Sequence, residues 1–161
     1  MYILKEEDQE NLLRRFVLTG TLEDGWTWVY RDPADNSKWI LFHHHGERQG
    51  GGWPVLRTNP VPEQLADWMM QCFTSGNEDD IKGLAWELSN NFERWPKILD
   101  WLEANSAIYS KSQIELFVNN LEVLHVWNKR PIIGKYPQEI DEDYHFFLTL
   151  AQRAGKLIET A

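Results

Sequence analysis

Residues 26–43 read WTWVYRDPADNSKWILFH, and this stretch decides the fold. Trp26, Trp28 and Tyr30 recur at every second position, and residues with this spacing lie on one face of a β-strand. The segment DPADNS that follows is rich in turn-forming residues, and KWILFH then resumes a β-prone run. Because the connection is so short, the sequence predicts that the two strands pair antiparallel.

Two further strands are predicted on either side of this pair. Residues 16–19 form a β-prone run that Gly20 closes, and residues 55–57 add a short fourth strand. Residues 6–14 are compatible with a short helix ahead of the first strand. The amino-terminal part is therefore predicted to be an antiparallel meander.

From residue 59 onward the period becomes helical. Leu65, Trp68, Met69 and Cys72 follow the i, i+3, i+4, i+7 spacing of an apolar helix face. Pro60 and Pro62 precede this stretch and are predicted to open the helix. Later helices are predicted to begin at Asn77, at Pro96, at a capping box of Ser112 with Glu115, and at about Asp141.

These patterns predict an α+β fold. It consists of an N-terminal antiparallel β-meander of three to four strands, followed by four to five packed α-helices. We expect a single domain over residues 1–161, with a β-rich part at about 1–58 and a helical part at about 59–161, because one core serves a chain of this length.

The net charge of −9 narrows the classes of partner. Phosphates would repel such a protein, so we expect no direct nucleic-acid partner, whereas an acidic surface suits a basic protein. Cys72 is the single cysteine, which fits a reducing compartment. The sequence contains no signal-like amino terminus and no apolar run long enough to span a bilayer, so we expect a cytoplasmic location and no membrane partner.

Catalytic motifs are absent from the sequence, which contains neither GxSxG nor HExxH, and we expect no enzyme activity and no cofactor. One alternative is a metal-dependent enzyme. If the strand continued past residue 43, then His43, His45 and Glu47 would point to the same side, with a spacing that can chelate Zn²⁺ or Fe²⁺.

The candidate partner-binding residues are one tryptophan and two acidic clusters. Trp53 follows three glycines that would let another chain approach the backbone, and tryptophan is common at binding hot spots. The acidic clusters fall where helices should begin, so they complement the helix dipole and could also contact lysine or arginine. Their members are Glu78, Asp79, Asp80, Asp141, Glu142 and Asp143.

Residues 32–57, DPADNSKWILFHHHGERQGGGWPVLR, resemble a motif of bacterial immunity proteins, which protect a cell against polymorphic toxins. Residues 83–103, GLAWELSNNFERWPKILDWLE, are similar to the helical portion of such proteins. The resemblance implies a cytoplasmic inhibitor that binds a cognate protein toxin and needs neither catalysis nor a cofactor. Such toxins are often basic nucleases, whose charge an acidic protein would cover.

A third hypothesis is a helical adaptor or regulatory protein, whose carboxy-terminal half binds some other partner. It shares its acidic charge and its apolar helix faces with the immunity hypothesis.

Overall fold

The computed structural model describes residues 1–22, 25–46 and 51–160. The chain divides into two compact units, unit 1 over residues 1–84 and unit 2 over residues 85–161. The predicted α+β class is confirmed, because the described strands lie within the first 59 residues and all described helices except one at residues 6–13 follow them. The single domain over residues 1–161 stays a prediction.

Unit 1 contains an antiparallel sheet whose strands are β1 (Tyr2–Ile3), β2 (Val17–Thr21), β3 (Trp28–Arg31), β4 (Lys38–His44) and β5 (Trp53–Asn59). The strand order is β1-β5-β4-β3-β2, so β2 to β5 form the predicted meander. β1 pairs with the outer side of β5 and makes five strands instead of three to four. The sequence could not reveal β1, because two residues are too few to show a period.

The turn between β3 and β4 is built from the predicted DPADNS segment. The Asp32 carboxylate accepts a hydrogen bond from the Ala34 amide at 2.9 Å, and the Asp35 carboxylate accepts one from the Ser37 amide at 2.8 Å. Asn36 adopts a positive φ of 62°, which asparagine tolerates better than most residues. These side chains hold the register of the hairpin.

A small apolar cluster joins the sheet to helix α1 (Glu6–Leu13), the short helix predicted near residues 6–14. Phe16, Trp39 and Leu56 are buried in it, and Leu12 of α1 packs against them. The rings of Phe16 and Trp39 lie 5.4 Å apart. Helix α2 (Leu65–Thr74) begins after Pro60 and Pro62 and buries Trp68, Met69, Cys72 and Phe73.

Helix α3 (Glu78–Ser89) holds β1 in place, and the division between the units falls within this helix. The Tyr2 amide donates to Asp80, and the Leu4 amide donates to Asp79 at 3.0 Å. The Tyr2 side chain lies so close to the helix that a Cβ on Gly83 would be 2.8 Å from the Tyr2 Cβ. Asn77 caps α3 by accepting a hydrogen bond from the Asp79 amide at 3.0 Å.

After α3, the described secondary-structure elements of unit 2 are all helices. Its capping box lies at Ser110 and Gln113 and not at the predicted Ser112 and Glu115, because the helix begins one residue after Ser110. The last helix begins at residue 137, earlier than predicted. The elements are a 3₁₀ turn (Phe92–Arg94), α4 (Trp95–Asn105), α5 (Lys111–Asn120) and α6 (Pro137–Thr160).

The core of unit 2 is centred on Trp95, which is fully buried. Its indole N–H donates to the Leu88 carbonyl at 3.2 Å, and its ring meets Phe147 of α6 edge to face at 6.2 Å. α4 and α5 both pack on α6. The other buried apolar residues include Ile98, Leu99, Leu102, Ile114, Phe117, Val118, Leu150 and Leu157.

Candidate partner-binding surface

The segment that connects α5 to α6, residues 121–136, is here named the α5–α6 loop. Several of its apolar side chains project into solvent, and a cluster of exposed apolar side chains is a common mark of an interaction site. Ile133 is 95% exposed and Tyr136 is 77% exposed. The exposed large apolar side chains of the loop are Val126, Trp127, Ile132, Ile133 and Tyr136.

A tight turn places Ile133 at the tip of the loop. The Lys135 amide donates to the Ile132 carbonyl at 3.2 Å, which makes residues 132–135 a four-residue turn. Gly134 occupies the third position with φ +84°, which a type II turn requires and glycine adopts without strain. Because Ile133 precedes this glycine at the outer corner, its side chain points away from the protein.

A network of ion pairs holds the second half of the loop. Arg130 donates to both carboxylate oxygens of Glu93 at 2.9–3.0 Å and to Asp143 of α6 at 2.8 Å. Lys135 donates to the other oxygen of Asp143. The hydrogen bonds from Lys135 first, and then from Arg130, lower the pKa of the Asp143 carboxyl below its ordinary value, and they outweigh the opposite effect of its burial.

The first half of the loop is held by packing and by a second ion pair. Lys129 donates to Glu122 at 3.0 Å, and its ammonium group lies 4.8 Å from the centre of the Trp95 ring. Val123 is buried, and the Arg130 amide donates to the Asn128 side chain at 2.8 Å. The loop is therefore fixed at both ends while its apolar tip stays in water.

The exposed charges that follow the loop along the chain are acidic. All three cations of the loop, Lys129, Arg130 and Lys135, lie in ion pairs with carboxylates. Asp141 and Glu142 follow within the first two turns of α6, and both are exposed. The exposed apolar side chains of the loop and the exposed carboxylates at the start of α6 form the candidate surface.

The predicted acidic residues fall into two groups. Glu78, Asp141 and Glu142 are exposed. Asp80 accepts a hydrogen bond from the Tyr2 amide of β1, and Asp79 accepts one from the Leu4 amide just after β1. Asp143 holds the α5–α6 loop, so these three carboxylates are engaged inside the protein. The assignment of all six to a partner surface stays a prediction.

Trp53 is the first residue of β5 and is 58% exposed, beside His44 on the neighbouring strand.

A separate group of exposed apolar residues in unit 1 lies at the edge of the sheet, where every residue of β2 is exposed. Its large exposed side chains are Val17, Leu18, Leu22 and Trp26.

The proposed metal ligands lie at the end of β4. The strand ends at His44, and His45 has a positive φ of 58°, so the alternation does not extend through His45 as the chelation hypothesis assumed. The His43 ring meets the Trp28 ring edge to face at 5.6 Å. Glu47 lies outside the described residues, and the metal site stays a prediction.

Sequence reasoning missed the α5–α6 loop, because it interpreted residues 128–131 only as a break between helices. A signal was present, since Trp127, Ile132 and Ile133 stand between two helices without fitting the apolar face of either one. The ion pairs of Arg130 with Glu93 and Asp143 join residues 37 and 13 positions apart and could not be deduced from spacing.

Among the described residues, no helix is long and apolar enough to cross a membrane. Trp127 and Tyr136 are exposed residues of the types that are enriched at protein–protein interfaces. The family model of immunity protein 27 matches residues 10–58, from α1 to β5. The resemblance to immunity proteins is thereby confirmed over that stretch, and no curated protein and no solved structure matches the chain.

Proposed function

We propose that this protein is an immunity protein that binds a cognate bacterial toxin in the cytoplasm and neutralises it by protein–protein contact. The observation that carries the proposal is the family match over residues 10–58, which covers β2, β3, β4 and all of β5 except its last residue. The function needs no catalytic residue and no cofactor, because a tightly bound protein can block or lock a toxin without changing it.

Charge and surface chemistry support the proposal. The net charge of −9 would speed the encounter with a basic toxin such as a nuclease. Exposed aromatic residues such as Trp53 and Tyr136 are of the type that supplies most of the binding energy in protein interfaces.

Co-expression with the product of the adjacent gene tests this function. We expect the protein to restore growth and to co-purify with the toxin in a complex of fixed stoichiometry. Titration of purified toxin should reach full inhibition only when the two proteins are equivalent in amount, because each bound molecule neutralises one toxin.

Two results would contradict the proposal. Protection by far less than an equivalent amount would indicate an enzyme that modifies the toxin. A folded, soluble protein that neither restores growth nor binds the toxin would favour the adaptor hypothesis instead.

A further inference from the structure

We infer that the α5–α6 loop is the surface that enters the toxin, and that its binding site there is an apolar depression rimmed by lysine or arginine. This inference rests on the proposed function and deepens it, because it names the contact surface and the chemistry of the partner.

Shape is the first support. Ile133 stands at the corner of a turn that Gly134 makes possible, and it is 95% exposed. Trp127, Ile132 and Tyr136 surround it along the chain and are exposed as well. A projecting apolar tip requires a concave apolar site on its partner, because only a depression can remove most of such a side chain from water.

Preorganisation is the second support. Arg130 ties the loop to Glu93 and Asp143, and Lys129 ties it to Glu122. A loop held in this way has little conformational freedom left to lose when a partner binds. Its exposed side chains can therefore contribute more of their burial energy to affinity than those of a mobile loop could.

Charge complementarity identifies the rim of the partner site. The three cations of the loop are engaged with carboxylates of the same unit. Asp141 and Glu142 are exposed on the first turns of α6, and their neighbours within the helix, His145 and Gln138, are each 3.5 Å away. A partner with lysine or arginine around its apolar depression would meet these carboxylates. A second copy of this chain would bring the same acidic residues and so fits less well.

The central experiment replaces Ile133 and uses Ile108 as a matched control. Both are isoleucines of unit 2 in segments between helices, and Ile108 is 71% exposed. We expect Ile133→Asp to weaken toxin affinity by at least about 30-fold, as loss of a hot spot does, and Ile108→Asp to change it by less than about threefold. Both variants should unfold at nearly the wild-type temperature, because neither side chain is buried.

A second variant tests the charge of the rim. Asp141→Lys with Glu142→Lys should slow association with the toxin by about tenfold at low salt, and high salt should remove the difference. The same charge change at Glu6 and Glu7 of α1 serves as the control and should have a smaller effect.

The outcomes separate this inference from the proposed function. If the wild-type protein binds the toxin and Ile133→Asp binds equally well, the loop is not the contact and the immunity function stands. If the wild-type protein does not bind the toxin, the proposed function fails and the inference fails with it. A wild-type dimer that Ile133→Asp dissociates would assign the loop to self-association and would also overturn the inference.

Discussion

The close approach of Tyr2 to helix α3 leads to a prediction whose sign is opposite to that expected from helix propensity. In an exposed helix interior, replacing glycine by alanine raises stability by about 0.5–1 kcal/mol. A Cβ on Gly83, however, would lie 2.5 Å from the Tyr2 Cγ and 2.8 Å from the Tyr2 Cβ. Tyr2 cannot easily retreat, because its amide donates to Asp80 and it pairs with Arg57.

Overpacking of this kind costs about 1–3 kcal/mol, which exceeds the gain in helix propensity. We therefore expect Gly83→Ala to lower the free energy of unfolding by about 1–2 kcal/mol. Gly155 is the matched control, since it lies in the interior of α6 and, outside its chain neighbours and the backbone of its own helix, none of the described atoms lies within 4 Å of its Cβ position. Gly155→Ala should raise the free energy of unfolding by about 0.5–1 kcal/mol.

Urea unfolding of the two variants, followed by circular dichroism, measures both changes. A double variant adds a further check, because Tyr2→Ala removes the ring atoms nearest to residue 83 and should reduce the cost of Gly83→Ala. If Gly83→Ala stabilises the protein as much as Gly155→Ala does, Tyr2 does not pack tightly against α3, and the prediction is wrong.

Three further predictions concern the carboxylates and the loop. Asp80→Ala should lower the free energy of unfolding by about 1–3 kcal/mol in urea, because it leaves the buried amide of Tyr2 without its acceptor; an unchanged midpoint would contradict this. The lowered pKa of Asp143 means that its contribution to stability is complete above its ordinary value of 3.8 and is lost as the pH falls below it. Wild-type stability should therefore fall more steeply than that of Asp143→Asn when urea unfolding is followed from about pH 5 down to pH 2, and parallel curves would oppose the assignment. Arg130→Ala should speed amide hydrogen exchange in the α5–α6 loop by about tenfold, whereas Arg153→Ala, which removes ion pairs between α6 and α4, should leave that loop unchanged.

The parts of the fold that the sequence predicted are those that depend on neighbours along the chain. The alternation of Trp28 and Tyr30 with the residues between them, and the turn chemistry of Asp32 and Asp35, identified the β3–β4 hairpin. The helical spacing from Leu65 to Cys72 identified α2. Period and turn formation are local properties, so a single sequence is enough to predict them.

The acidic clusters make contacts that could not be predicted from neighbouring residues in the sequence. Their positions at helix starts predicted that they complement the helix dipole and could contact a partner. In the structure Asp80 holds the first strand, 78 residues away, and Asp143 holds Arg130 and Lys135. No spacing rule relates these partners, because the chain must fold before they meet.

The sequence by itself determined the α+β class, the meander, most helix positions and the acidic character of the protein, because each follows from residue order and composition. Only the tertiary structure decided which carboxylates are engaged internally and which face solvent, and that the apolar tip at Ile133 is held out in water. Exposure and ion pairing depend on contacts between segments that are distant in the sequence. These contacts form only when the chain packs, so they cannot be deduced from residue order.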